Sequence, residues 1–95
     1  MIVSEWLEKE SRGSRTARAA LNKGRTLQPA AGDSVIFDPI CKVGRKVKGY
    51  AGDRCVVVGT RYDPPEGYPG APPLVYVEFA DGLRYWLNPW HLIEA

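Results

Sequence analysis

The chain has 95 residues, of which 44% are hydrophobic and 25% are charged, and its formal net charge is +2. This length supports one domain with a modest core, and no apolar run approaches the roughly 20 residues of a membrane-spanning helix. The first twenty residues also lack the continuous apolar segment of a secretion signal. Cys41 and Cys55 are too few for a disulfide-rich secreted scaffold, so we favour free thiols over one disulfide and expect a cytoplasmic protein.

Residues 1–31 are predicted to form a basic arm with one or two short helices. Ser4 is a candidate cap for a helix over residues 5–10, and Ser14 for a second helix over residues 15–22. The second helix has only a thin apolar stripe, which is too little to hold it firmly without help. The arm is therefore either a weakly docked helical element or a mobile basic tail.

The charges are unevenly distributed. Residues 9–48 contain ten basic and three acidic side chains, whereas residues 56–95 contain two basic and five acidic ones. This asymmetry favours an anionic partner for the first half of the chain. Arg12, Arg15 and Arg18 recur every third residue and would share one flank of a helix if that helix tolerated Gly13.

Strand signals begin after the arm. Residues 34–38 alternate between apolar and polar faces, and residues 41–53 read as a long basic loop with three glycines. Residues 54–62 predict a second strand, whose continuous valines suggest that both of its faces are covered. Residues 63–73 contain five prolines and predict a stiff loop.

A hairpin is predicted over residues 75–87, with Asp81-Gly82 at its turn. A three-residue loop with Gly82 in the left-handed conformation best separates the side chains into an apolar face and an outer face. It puts Tyr76 beside Trp86 on the outer face, and it avoids placing Arg84 on the apolar face. Residues 88–91 then suggest one tight helical turn, and Leu92-Ile93 a last short strand.

Five short strands with this spacing resemble an SH3-like β-barrel of the KOW and Tudor type. The resemblance rests on residues 32–35, 48–52, 77–82 and 89–93, and it covers about residues 32 to 94. It implies a mainly β domain at 32–95, with a small five-stranded barrel preceded by the helical or flexible arm. KOW modules contact RNA or ribosomal and transcription partners through a loop with a Lys-Gly-x-x-Gly core, here Lys48 to Gly52. Tudor modules instead bind methylated Arg or Lys in an aromatic cage, and other small SH3-like subunits dock onto larger complexes.

The basic loop is the leading candidate binding site. Its cations suit phosphates, its glycines permit close backbone approach, and the ring of Tyr50 suits stacking on an unpaired base. The resemblance to KOW modules implies RNA rather than DNA as the partner. We therefore expect a non-catalytic module that contacts RNA or a nucleoprotein. The candidate residues are Lys42, Arg45, Lys46, Lys48 and Tyr50, extended by Arg12, Arg15 and Arg18.

The alternative is a protein-docking or adaptor module, either a monomer or a homodimer. Tyr76 and Trp86 would form its contact face, together with Tyr68 at the tip of the Pro-rich loop. We nevertheless favour an arrangement in which the N-terminal helix covers Tyr76 and Trp86, because large exposed apolar patches are uncommon on monomers. Trp90 is expected to fill the core.

Catalysis, metals and cofactors find little support in the sequence. His91 is the only histidine, and neither cysteine has a local acid-base signature. No nucleophile elbow or phosphate-binding loop is present, and metal-ligand spacing is absent. We therefore expect no enzyme activity, no cofactor, no metal and no membrane contact.

Overall fold

The structure, a computed structural model, describes residues 2–95. Two helices come first, followed by five strands, with a short helix after β1 and a single 3-10 turn before β5. The elements are α1 (Val3–Glu10), α2 (Arg15–Asn22), β1 (Ser34–Phe37), α3 (Arg45–Lys48), β2 (Arg54–Arg61), β3 (Leu74–Phe79), β4 (Arg84–Leu87), the 3-10 turn (Pro89–His91) and β5 (Leu92–Glu94).

The five strands form one antiparallel sheet in the order β4-β3-β2-β1-β5. This confirms a small, mainly β domain with a few helices. β4 and β5 lie at opposite edges of the sheet and are not paired with each other, so the sheet does not close. No helix within residues 2–95 is long and apolar enough to cross a membrane.

The predicted hairpin register is confirmed. Val77 pairs with Tyr85, and Tyr76 pairs with Trp86 on the outer face. Gly82 has φ of 90°, and its amide donates to the carbonyl of Phe79, as a three-residue loop with a left-handed glycine requires. The turn chemistry therefore decides which aromatic side chains face outward.

The prediction that both faces of β2 are covered is wrong. Val57 is buried, but Val56 is 45% exposed and Val58 is 38% exposed. Helices that cover both faces belong to parallel sheets, whereas one face of an antiparallel sheet can face solvent. Here the inner face of the sheet packs on the main core and the outer face is open.

Residues 3–10 and 15–22 of the arm are helical, with a turn between them. The Ser14 cap is confirmed, since its hydroxyl accepts from the amide of Ala17 at 3.2 Å. The Ser4 cap is wrong: α1 begins at Val3, and the Val3 amide donates instead to the side chain of Gln28 at 2.8 Å. The boundary between an arm at 1–31 and a β domain at 32–95 stays a prediction.

The arm does not cover Tyr76 and Trp86, which corrects the expectation stated above. Its helices pack instead on the 3-10 turn, where Trp6 stacks on Trp90 with ring centroids 5.3 Å apart. Val3 and Leu7 join Trp90 in a second apolar cluster, separate from the main core of the sheet. Trp90 is therefore buried, as expected, but its partner is the arm.

Candidate functional site

The predicted basic loop contains a helical turn. In α3, Val47 is fully buried in the main core, and Gly44 precedes the turn in extended conformation. Because a helical turn points successive side chains in different directions, burial of Val47 leaves its basic neighbours in solvent. Exposed cations in and beside this turn are Lys42, Arg45, Lys46 and Lys48. We call residues 42–48 the basic segment.

The basic segment lies against β4. A Cβ atom at Gly44 would collide with the hydroxyl of Tyr85, so a larger residue at this position would push the tyrosine side chain aside. Val43 and Tyr85 both pack on the main core from its edge. The segment is thereby held next to the strand that carries Trp86.

Two hollows meet at Lys42. The first, of about 530 Å³, is lined by Lys42, Arg45 and Lys48 together with Cys41 and a few small or apolar residues. The second, of about 220 Å³, is lined by Lys42, Trp86 and neighbouring residues of β4. The cations and the exposed tryptophan therefore line two neighbouring hollows that share Lys42.

Tyr76 and Trp86 form an open aromatic pair. Their ring centroids are 4.7 Å apart with an interplanar angle of 30°, and Trp86 is 47% exposed. Beside them, Glu78 accepts from Arg84 at 2.8 Å, which leaves that cation paired. The exposed face of Trp86 is available to a flat ligand, a cation or an apolar side chain.

Tyr50 is held by contacts within the protein. Its ring packs against Phe79 with centroids 4.5 Å apart, and its hydroxyl donates to Asp81. This hydrogen bond raises the pKa of Tyr50 and lowers the pKa of Asp81. The half-buried Tyr50 side chain therefore ties the chain that follows the basic segment to the hairpin turn.

Arg12, Arg15 and Arg18 are all exposed, but they do not share one flank of a helix. Arg12 lies in the turn between α1 and α2, because α1 ends at Glu10 and α2 begins at Arg15. Arg18 donates to the carbonyl of Ser11 at 3.2 Å. Within residues 2–95, no hydrogen bond or ion pair connects these arginines to the basic segment.

Tyr68 is 69% exposed at the Pro-rich loop. Its amide donates to Pro65 at 3.0 Å, which forms a tight turn there. Its ring makes no aromatic contact with Tyr76 or Trp86 in the described chain. The structure thus leaves Tyr68 exposed and separate from the aromatic pair.

Folding brings Cys41 next to His91, a proximity that the sequence analysis missed. His91 is 5% exposed, its Nδ1 accepts from the Ile40 amide at 3.3 Å, and its Nε2 lies 3.9 Å from the Cys41 sulfur. Burial, helped by the charge of Arg25, lowers the pKa of His91 to about 4. The two residues are 50 positions apart, and no local motif signals their contact.

Both cysteines are free, in agreement with the favoured interpretation. Cys41 is exposed, whereas Cys55 is 2% exposed in the main core and behaves as a small hydrophobe. Burial, with a contribution from Asp53, raises the pKa of the Cys55 thiol to about 11. In the part of the chain that the structure describes, no three His, Cys, Asp or Glu side chains are grouped as metal ligands.

Comparison with known proteins gave no match to a family model, to a curated protein or to a solved structure.

Proposed function

We propose that this protein is a non-catalytic module that binds single-stranded RNA across the surface where the basic segment meets Trp86. The observation that carries the proposal is the position of Lys42, which lines both the hollow of Arg45 and Lys48 and the hollow of Trp86. Binders of single strands combine a positively charged groove for phosphates with aromatic side chains for bases. The two neighbouring hollows bring both kinds of group close to Lys42.

The cations of the basic segment are free to neutralise phosphates. Within residues 2–95 their side chains form no ion pair or hydrogen bond, and the fold keeps them in solvent because Val47 alone is buried. Trp86 supplies the stacking surface in place of Tyr50, whose ring and hydroxyl already have partners. Phosphate contacts release counterions, so affinity falls as salt rises.

The proposal retains an SH3-like barrel of the KOW or Tudor type as the fold family. Support comes from the chain order of five short antiparallel strands and from the single helical turn before the last strand. The proposed setting is the cytoplasm, and two unpaired cysteines support a reducing compartment.

The first test measures binding of a random single-stranded RNA, with duplex DNA as comparison, at low and near-physiological salt. The key variant carries Lys42→Gln, Arg45→Gln and Lys48→Gln, and its matched control carries Arg12→Gln, Arg15→Gln and Arg18→Gln. We expect the key variant to lower affinity and to reduce the slope of log affinity against log salt by about 2, at roughly 0.7 per contact. Absence of RNA binding by the wild type at low salt, or equal losses in both variants, would overturn the proposal.

A second test addresses the aromatic part of the site. Trp86→Ala is expected to weaken RNA binding by about 1–3 kcal/mol, the usual contribution of one stacked base. Trp86→Phe should restore part of the loss because it keeps an aromatic face. Unchanged affinity in Trp86→Ala would remove the tryptophan from the interface.

One observation favours a second candidate function, protein docking or homodimer formation. Val56 and Val58 extend the exposed apolar area of β2 beyond the aromatic pair, which stacking on bases does not require. This candidate predicts self-association or protein binding that depends weakly on salt and is lost in the double variant Val56→Thr, Val58→Thr. Sedimentation at several protein concentrations decides whether that partner is a second copy of the chain.

A further inference from the structure

We propose that Cys41 is a thiol-modification site that takes an anionic low-molecular-weight disulfide of the glutathione class. Three structural features support this site: an exposed sulfur, a buried histidine directed at it, and a hollow lined by cations. The proposal concerns the chemistry of the thiol and does not require RNA binding.

The contact between Cys41 and His91 has a defined direction. Because Nδ1 of His91 accepts from the Ile40 amide, the ring proton of the neutral imidazole is on Nε2. More than nine-tenths of His91 is buried, and in the described chain Nε2 has no partner other than the Cys41 sulfur at 3.9 Å. The histidine therefore points an N–H group at an exposed sulfur.

The hollow beside this sulfur matches an anionic reagent. Cys41 lines it together with Lys42, Arg45 and Lys48, and its volume is about 530 Å³. A glutathionyl group carries two carboxylates, which are suitable partners for lysine and arginine side chains. A neutral disulfide of similar reactivity would gain nothing from these cations.

Cys55 provides an internal comparison in the same molecule. It is 2% exposed in the main core, between the inner faces of the strands, and an entering disulfide cannot reach its sulfur without unfolding. Reactive cysteines lie in partly exposed, electropositive surroundings, whereas buried structural cysteines are inert. The structure therefore separates one exposed thiol beside cations from one buried thiol.

The reaction is thiol–disulfide exchange. The Cys41 thiol loses its proton to solvent, and the thiolate attacks one sulfur of oxidised glutathione. A new sulfur–sulfur bond forms to Cys41 while the original bond breaks, and the released glutathione thiolate takes up a proton. Cys41 is oxidised, one half of the glutathione disulfide is reduced, and excess reduced glutathione reverses the step.

One consequence rests on the proposed RNA function. The adduct would occupy the hollow of Lys42, Arg45 and Lys48 and would add negative charge there. Both effects oppose phosphate binding on the same surface. Modification would therefore lower RNA affinity, and reduction would restore it.

The test incubates the full chain with oxidised glutathione or with neutral hydroxyethyl disulfide and follows adduct formation by intact mass. We expect one adduct per chain with glutathione, assigned to Cys41 by peptide mapping and absent in Cys41→Ser. Modification of Cys55 at a comparable rate in the folded protein would overturn the proposal.

The charge preference is measured as the ratio of two rates of adduct formation, the rate with oxidised glutathione divided by the rate with hydroxyethyl disulfide. Replacing Lys42, Arg45 and Lys48 by Gln should lower the ratio of the glutathione rate to the neutral rate by about fivefold. The matched arm variant, with Gln at positions 12, 15 and 18, should keep the wild-type ratio. An unchanged ratio in the first variant would show that the hollow does not select anions. Because RNA is absent from these assays, their failure is distinguishable from failure of the proposed function.

Discussion

Two regions of the chain are both rich in lysine and arginine, but their basic side chains have different partners in the structure. The arm carries Arg12, Arg15, Arg18, Lys23 and Arg25, and the basic segment carries Lys42, Arg45, Lys46 and Lys48. In the arm, Arg25 donates part-buried hydrogen bonds that hold the fold, and Arg18 donates to the exposed carbonyl of Ser11. In the basic segment, none of the side chains has such a bond within residues 2–95. Charge density alone therefore does not distinguish a structural cation from an available one.

The difference has a physical cause in how each region is anchored. Arg25 is 16% exposed, and its guanidinium donates to the Asp38 carboxylate at 2.7 Å and to two carbonyls, those of Asp38 and Trp90. The planar fork of arginine suits several fixed acceptors at once. The basic segment is anchored by the apolar side chain of Val47 instead, so its cations are not needed for folding.

The largest expected effect follows from the anchor of the arm. Trp90→Ala removes the ring on which Trp6 stacks, and it should lower the free energy of unfolding by about 3–5 kcal/mol. Urea denaturation measures this change. If the alanine variant does not fold, Trp90→Phe is measured in its place, and we expect a smaller loss because it keeps an aromatic ring. Trp86→Ala is the control and should cost about 1 kcal/mol, because its ring is half exposed. Equal costs at both positions would contradict the docking of the arm on Trp90.

Arg25 should be the most important cation for stability. Arg25→Gln leaves the Asp38 carboxylate without its partner and should cost about 1.5–3 kcal/mol of unfolding free energy. Arg25→Lys keeps the charge but loses the fork, so we expect an intermediate value. Lys42→Gln, measured in the same urea series, should change stability by no more than about 0.5 kcal/mol. A cost at Lys42 as large as that at Arg25 would break the distinction between the two regions.

Acid should destabilise the protein through His91, which lies near Arg25. The folded state holds the pKa of His91 at about 4, below its ordinary 6.5, so the unfolded chain takes up the proton first. The stability that comes from neutral His91 is fully present above its unfolded-state pKa of about 6.5. The free energy of unfolding should therefore fall by about 2 kcal/mol between pH 7 and pH 5. Urea titrations at those two values measure the loss. His91 is the only histidine, so a variant without it should show a nearly flat profile.

The smallest effect on stability is expected where the cations are free. The triple variant Lys42→Gln, Arg45→Gln, Lys48→Gln should change unfolding free energy by no more than about 0.5 kcal/mol, because surface substitutions without packed partners are nearly neutral. The same protein sample should show the reduced RNA affinity described above. A large loss of stability instead would make these cations part of the fold.

Local sequence signals predicted the hairpin and α2 well. Asp81-Gly82 and the alternation around it predicted the register that pairs Tyr76 with Trp86, and Ser14 predicted the beginning of α2. Both signals act over a few residues, through turn geometry or one capping hydrogen bond. The same local reasoning failed at Ser4, because Gln28, 25 residues from Val3, supplies the acceptor for that helix end.

The candidate site was predicted only in its parts. The cations of residues 42–48 and the aromatic pair were identified as separate, competing surfaces, and Tyr50 was expected to stack on bases. The sequence does not show that Tyr50 reaches Asp81, 31 residues away, or that Lys42 lines a hollow with Trp86. Such contacts depend on how the strands pair across the sheet.

By itself, the sequence determined the local elements: where strands begin and turn, and which side chains share a face. It also determined that positive charge is concentrated before residue 49. Only the tertiary structure decided that the arm packs on Trp90, that one face of β2 stays open, and that Cys41 meets His91. The physical reason is the range of the interactions. Turn and capping preferences are set by neighbouring residues, whereas burial and side-chain contacts are set by residues that only folding brings together.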